Sequence, residues 1–572
     1  MQPANSKKPI YILGTGLSHN GSSCLLKDGK IIVAIEKERL SRVKHDGGND
    51  FLTVQYCLQQ AGITVNDLSL VVQVANFEKE NILKHKFIGK RFFAEDCTVP
   101  FVTISHHLAH AYSAVGTSPY NECNVLVIDG CGSPYHHCED LRGAVIPPDV
   151  NSVPGLYAEK DSYYYFNGQY LLPIYKDFSV IELFNRKYPV QLPTSSHSIG
   201  GFYSMVSNYC FGNLDDAGKL MGLAPYGREG VYTTPIFSLE NGRVYVIEEV
   251  LALFDKPMHV EQRPFTKNFQ YYADIAKWVQ TETQKAIQYI FSSRLAFNKH
   301  EHICYAGGVA LNAVANTQLL HHTDIKSLYI EPAAGDNGLA LGCAFYGWIE
   351  VLKQPKIPHN GSTLFGASYT NTAIEEAINQ YKLNNPDTHV DYAFSDGFID
   401  EAAGLLAEGK IIGWFQQGAE FGPRALGSRS ILADPRKKNV QQLINRDIKF
   451  REDFRPFAPA VLQEEVNNYF EYGHDSPYMI LIDRIKPEWK EILSGIVHVD
   501  GTCRVQTVSR DWNTAFYTLL TAFKAKTGIA VLLNTSFNKK GMPIVETPYE
   551  AIDFFYQCRL DVLILNNYLI KK

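Results

Sequence analysis

Apolar and polar positions along the chain fall into alternating blocks. Short apolar or β-branched runs end in Gly, Asp or Pro, and longer stretches between them carry apolar residues three and four apart. Such blocks predict strands and helices in turn, an α/β fold. Pro9 to Leu17 predicts a strand with Gly14-Thr15-Gly16 near its end. A second run reaches Lys27, turns at Asp28-Gly29 and returns through Ile31 to Ile35, a strong hairpin signal. The pattern then predicts a helix from Asp50 to Ala61, strands at Leu70 to Val74 and Phe101 to Ile104, and a helix from His106 to about Ala114. A strand at Asn124 to Ile128 follows. Between Tyr135 and Tyr203 periodicity is poor, which predicts excursions built onto the first domain. A long helix over Tyr271 to Phe297 leads into a strand-turn-helix unit, His302 to Leu320, which recurs once from Ser327 to Glu350. No longer internal repeat is visible.

Lys353 to Ser362 holds Pro355, Pro358 and Gly361 without periodicity, so it reads as a domain boundary, dividing the chain into 1–354 and 355–572. The second part predicts helices at Thr372 to Tyr381, Ile399 to Glu408 and Tyr549 to Tyr556. Its strands are expected at Ile411 to Phe415, Ile529 to Leu533 and Val562 to Leu565. No period explains Gly418 to Pro459, which is rich in Arg, Gly and Pro.

Length agrees with at least two domains, since 572 residues exceed one ordinary core. Hydrophobic content of 45% and charged content of 20% are those of a globular protein. A formal net charge of -6 argues against an electrostatic grip on nucleic acid or anionic lipid. The 11 cysteines form no C-x-x-C pair, which fits a reducing cytoplasm. No signal peptide is read in Met1 to Lys8 and no membrane span elsewhere.

Candidate chemistry concentrates at the ends of predicted elements. His106 and His110 share one helix face and could grip a metal together, or be an ordinary helix pair. His107 stands where a metalloprotease H-E-x-x-H has its glutamate, so that chemistry is missing. Asp129, before Gly130, and Asp336, before Asn337-Gly338, lie at strand ends where α/β sheets face ligands; Asp-Gly turns alone would look the same. His19 sits in the first loop, and Glu36 to Asp46 is a polar cluster containing Lys44, either a solvated strand end or a rim with a base and a lysine. Gly307-Gly308 opens a helix as an anion site or a plain tight turn. Lys219 lies in a glycine-lysine segment without Walker A spacing, where it could meet phosphate or only solvent. Arg424, Arg429, Lys449, Arg455 and Arg504 suggest one local anion pocket, with a scattered surface as the alternative.

The strand-loop-hairpin opening resembles the start of the actin-like ATPase fold. The chain as a whole resembles the NodU/CmcH family of O-carbamoyltransferases. The likeness rests on Gly16 to Ser23, Glu36 to His45, Ser105 to His110, Val127 to Gly132, Gly218 to Gly227 and Gly307 to Asn312. It continues through Glu331 to Gly338, Phe421 to Arg436, Arg455 to Pro459, Asp500 to Thr507 and Asn534 to Asn538, in family order. It implies an actin-like, threonylcarbamoyl transferase-like domain fused to a YrdC-like α/β domain. The second domain would convert ATP and carbamoyl phosphate to carbamoyl-adenylate, and the first would move the carbamoyl group to a hydroxyl. By the same resemblance His106, His110, Asp129 and Asp336 hold a metal, Fe(2+) or another divalent ion, with Mg(2+) a further candidate. Lys219, Gly307, Gly308 and Asn312 map to nucleotide loops, and Arg424, Lys449, Arg455, Arg504 and Ser536 to the carbamoyl phosphate pocket. His19, Lys44 and Arg504 are the expected catalytic groups.

A labile adenylate implies a closed channel between the two sites. The expected acceptor is a small hydroxylated natural product; Pro147 to Tyr203 matches nothing in the family pattern, so a guanidinium alkaloid, an aminoglycoside or a sugar would each fit. A homodimer is compatible, and no nucleic-acid or membrane partner is expected. The competing readings are an actin-like sugar kinase or phosphohydrolase with an accessory domain, and an idle binding scaffold.

Overall fold

The computed structural model describes residues 8–48, 51–75, 98–148, 150, 157–181, 195–254, 265–321 and 325–572. Residues 1–7, Asp50 and parts of the Pro147 to Tyr203 stretch lie outside the described residues.

The first sheet takes β1 (Tyr11–Leu17), β2 (Ser22–Lys27), β3 (Lys30–Glu36), β4 (Leu70–Ala75) and β5 (Phe101–Ile104) in the order β3-β2-β1-β4-β5. β1 to β3 form an antiparallel meander, while β4 and β5 are parallel to β1. The expected hairpin turn is present, with Asp28 and Gly29 at φ of 50° and 80°. Two successive positive φ values match the right-handed twist of the flanking strands.

The second sheet takes β6 (Cys123–Ile128), β7 (Tyr157–Phe166) and β8 (Leu171–Val180). A side hairpin, β9 (Phe237–Glu240) and β10 (Arg243–Val246), precedes β11 (His302–Ala306) and β12 (Ser327–Ile330). The order is β12-β11-β6-β7-β8. Again a meander comes first and two parallel strands are added beside its first member. The two sheets therefore repeat one topology, a duplication that no sequence period showed. This is the actin-like architecture.

The excursions expected between Tyr135 and Tyr203 are a misreading, because β7 and β8 are full members of the second sheet. Their buried positions carry Glu159, Lys160, Asp161, Lys176 and Asp177, which hides the apolar alternation of a strand. These charges neutralise one another inside the fold. Lys160 Nζ lies 2.9 Å from Asp177, Lys176 Nζ 2.7 Å from Asp140, and Arg294 pairs with Asp161. Buried charge is tolerated when it is paired in this way.

The histidine helix runs His106–Thr117, longer than expected. The last helix of the duplicated part is α-helical over Leu339–Tyr346 and continues as a π turn through Val351. It is wedged between β1 and the histidine helix. A Cβ on Gly14 would meet Ala340 O at 2.1 Å, and one on Gly342 would meet Ala109 O at 1.7 Å. Only glycine permits backbones to approach so closely.

The remaining chain forms an α/β unit. Its strands are β13 (Asp391–Phe394), β14 (Ile412–Phe415), β15 (Arg429–Ala433), β16 (Ala458–Leu462), β17 (Ile482–Arg484), β18 (Thr502–Arg504), β19 (Gln506–Val508), β20 (Val531–Ser536), β21 (Val562–Leu565) and β22 (Tyr568–Lys571). Eight of them make one mixed sheet, β13-β22-β21-β14-β15-β20-β16-β19, and β17 pairs with β18. The hydrophobic cores cross the Lys353 to Ser362 segment. Phe421, Phe454 and Tyr478 to Leu481 pack into the core of the duplicated part. Among the described residues no helix is long and apolar enough to cross a membrane.

Candidate active site

β6 delivers Asp129, the turn after β12 delivers Asp336, and the first turns of the histidine helix deliver His106 and His110. Their ligand atoms all lie within 4.8 Å of one another, and all four residues are buried. His106 Nε2 is 3.0 Å from His110 Nε2, 2.9 Å from Asp129 Oδ2 and 3.4 Å from Asp336 Oδ1. His110 Nε2 is 3.8 Å from each carboxylate. Gly308 N–H donates to Asp129 Oδ1 at 3.0 Å, which aims the other oxygen at the histidines.

Two imidazole nitrogens this close share at most one proton between them. Burial would push His106 down, but Asp336 and Asp129 outweigh it and lift the ring to about 10. His110 is pushed down to about 3, by burial and then by His106. Burial opposes ionisation of both acids, yet the histidines hold Asp129 below the usual carboxylate range, and His19 and His106 hold Asp336 well below it. Two buried carboxylates facing two imidazole lone pairs suit a divalent cation. A second group, Cys138, Asp140 and Glu159, has metal-like spacing, but the Lys176 ammonium already sits between its two carboxylates.

His19 approaches from the loop after β1. Its Nδ1 lies 2.9 Å from Asp336 Oδ2, to which Ser18 Oγ also donates. Burial lowers His19, but Asp336 outweighs it and raises the ring to about 9. Lys44 is tied to Glu38 at 2.8 and 3.0 Å.

One cavity of about 700 Å³ runs from this group to the second α/β unit. His19, Lys44, Asp129, Gly308, Asn312 and Asp336 line one end, and Arg424, Arg455, Arg504 and Ser536 the other. Arg451 also faces it, a residue present in the sequence stretch but left out of the expected pocket. Lys449 and Arg455, which flank it, were the signal that could have found it. Burial, then Arg455, pushes Arg424 down to about 10. Arg504 is driven well below the usual guanidinium range by burial and then by Arg424, Arg451 and Arg455. The Nε atoms of Arg424 and Arg504 have no hydrogen-bond partner among the described residues. Converging, underpaired guanidinium groups suit an anion, since a phosphate would relieve their repulsion and fill their donors.

Other expected residues stand off the cavity wall. Lys449 donates to Ser536 O at 2.6 Å and Asn538 Oδ1 at 2.7 Å, so it braces the loop that presents Ser536. Lys219 pairs with Asp216 at 2.6 Å and Glu452 at 3.4 Å. Gly307, at φ 91°, packs against Ile128 O and turns Gly308 toward Asp129. Arg429 does not belong to the anion pocket. Its guanidinium lies 3.5 Å from the centre of the Phe415 ring and donates to the Gln416 carbonyl at 2.8 Å.

Against known proteins, residues 11–95 and 79–345 match the family model described as carbamoyltransferase N-terminus, and residues 403–572 match carbamoyltransferase C-terminus. An uncharacterized protein of Synechocystis sp. is 31% identical, with 98% of this chain and 97% of that protein covered. Nodulation protein NolNO of Sinorhizobium fredii is 30% identical over 97% of this chain and 79% of its own length. Among solved structures, T. kodakarensis HypF aligns over 62% of this chain and 50% of its own, at 14% identity and a TM-score of 0.38.

Proposed function

The chain belongs to the carbamoyltransferase family, and on that premise we propose that it is an ATP-dependent O-carbamoyltransferase working in two steps. In the first, at the arginine end, carbamoyl phosphate loses its phosphate to water and the resulting carbamate oxygen displaces pyrophosphate from ATP. The product is carbamoyl-adenylate. In the second, at the His19 end, an acceptor hydroxyl attacks the carbamoyl carbon, the bond to AMP breaks, and the hydroxyl proton leaves to a base. The acceptor is a small hydroxylated natural product.

The observation that carries this reading is the single cavity bordered by both groups of residues. Nitrogen donation makes carbamate a poor electrophile, so activation needs a good leaving group, and AMP supplies one. Arg424, Arg451, Arg455 and Arg504 offset the charge of the phosphates as they react. Asn312 and Gly308 serve the nucleotide. His106, His110, Asp129 and Asp336 would hold a divalent metal, Fe(2+) by resemblance, which supplies Lewis acidity toward phosphate and carbonyl oxygens. His19 is the proposed base, and Lys44 its neighbour on the acceptor side. Acting as a base requires a neutral imidazole, and hence that the Asp336 charge be met by another cation; the four-ligand group provides for one.

The test is pyrophosphate release from purified protein given ATP and carbamoyl phosphate without an acceptor. Release dependent on carbamoyl phosphate supports the reading. ATP consumption that ignores carbamoyl phosphate, with phosphorylation of an added sugar, would replace it with the kinase alternative. A panel of hydroxylated natural products, assayed by mass spectrometry for gain of one carbamoyl group, then identifies the acceptor.

A further inference from the structure

Arg39 lies in the short helix Lys37–Ser41 after β3 and is 1% exposed. A fully buried arginine on a five-residue helix needs a reason, because desolvating a guanidinium is costly. Its contacts reach in two directions. On one side Nε lies 3.0 Å from Glu36 Oε2. Glu36 Oε1 accepts from Asn337 Nδ2 at 2.8 Å, and Ser22 Oγ donates to the Asn337 carbonyl, so this branch fixes the turn that carries Asp336. On the other side Nη2 donates to Gly422 O at 3.1 Å and Glu420 O at 3.4 Å.

That second branch holds the loop that presents Arg424. The Glu420 carboxylate shapes the same loop from within, accepting from Leu426 N at 2.8 Å and Ser428 N at 2.6 Å. Gly422, at φ 118°, passes over Pro332 and Ala333, the start of the Asp336 turn. One guanidinium therefore ties together the two loops that carry opposite ends of the cavity.

We propose that Arg39 is a positioning residue that keeps the Asp336 turn and the Arg424 loop in register, so that activated carbamoyl is retained between them and not lost to water. This rests on the two-step reading above. The fork meets Glu36 and the Gly422 carbonyl from two different nitrogens, whereas a lysine at position 39 keeps the charge but offers a single ammonium.

Single-turnover measurements with ATP and carbamoyl phosphate, without acceptor, test it. Wild-type protein should show a burst of pyrophosphate followed by slow release of AMP. No burst in wild type removes the two-step reading itself, and the role of Arg39 with it. Given the burst, Arg39→Lys should keep its rate within about twofold while AMP release rises about tenfold, the scale of one lost hydrogen bond to a charged group. Glu36→Gln/Arg39→Gln, which removes both buried charges, should behave alike and serves if Arg39→Lys does not fold. Unchanged AMP release in the folded variant, or a burst rate that falls as far as AMP release rises, overturns the proposal. A merely structural arginine would not alter the ratio of the two rates.

Discussion

Arg504 enters the cavity from the end of β18 with its Nε unpartnered and three other guanidinium groups beside it. Replacing it removes a fork that faces the cavity, and under the proposed reading Arg504→Ala is expected to lower carbamoyl-phosphate-dependent pyrophosphate release by about a hundredfold or more. His19 stands at the other end, so His19→Ala should release pyrophosphate within about twofold of wild type while carbamoylation of the acceptor falls about a hundredfold. Equal loss of both steps would remove His19 as the base. Glu331 illustrates a buried acid that the fold keeps neutral. It is 1% exposed and burial pushes it up to about 8, against a weaker pull from the Ala333 backbone. The folded protein thus binds this proton where the unfolded chain has released it, between about pH 4.5 and 8, and stability falls as pH rises through that window. Glu331→Gln keeps the shape without the charge, so its gain over wild type in denaturant midpoint should be larger at about pH 8 than at about pH 5. An equal difference at both values would show Glu331 ionised in the fold. At this scale the sequence was legible by residue type and not by destination. Arg429 and Arg451 looked alike in one unpatterned stretch, yet β15 turns the first onto Phe415 while the second faces the cavity.

Among the elements, the histidine helix and the Leu339–Tyr346 helix are one unit, because Gly342 sits against the Ala109 carbonyl between the two histidine turns. Gly342→Ala must push the helices apart. It should cost about 1–3 kcal/mol of stability and weaken Mn(2+) binding to the folded protein, read by calorimetric titration. Unchanged binding would mean that the ligand group tolerates movement of its helix. The pattern of apolar positions located this helix, the first hairpin and both strand-turn-helix units, since each has an apolar side and a glycine or aspartate stop. It missed β7 and β8, whose interior is built from paired charges, and with them the second meander and the duplication. Local sequence cannot show that Lys176 will meet Asp140, or that Arg294 will meet Asp161 across 133 positions.

At the scale of the molecule the two sheet systems are distinct and their packing is not. Asn316 donates to the Ile480 carbonyl at 3.0 Å, Ile482 N–H donates to Thr317 Oγ1 at 2.8 Å, and Tyr478 to Leu481 lie in the first core. Residues 1–354 expressed alone should therefore lack a cooperative thermal transition, which co-expression with 355–572 restores. A sharp transition in the isolated fragment would show that its core closes without the second unit. Arg42, three residues beyond Arg39, donates to the Ile544 carbonyl at 2.9 Å across 502 positions. The segment after the first hairpin therefore closes onto a residue 502 positions further along the chain. Together with the Arg39 contacts to Gly422 and Glu420, this closure makes the docking of the two units a condition for the cavity to have its walls. Under the proposed two-step reading, only a chain whose two units have docked encloses an activated carbamoyl group.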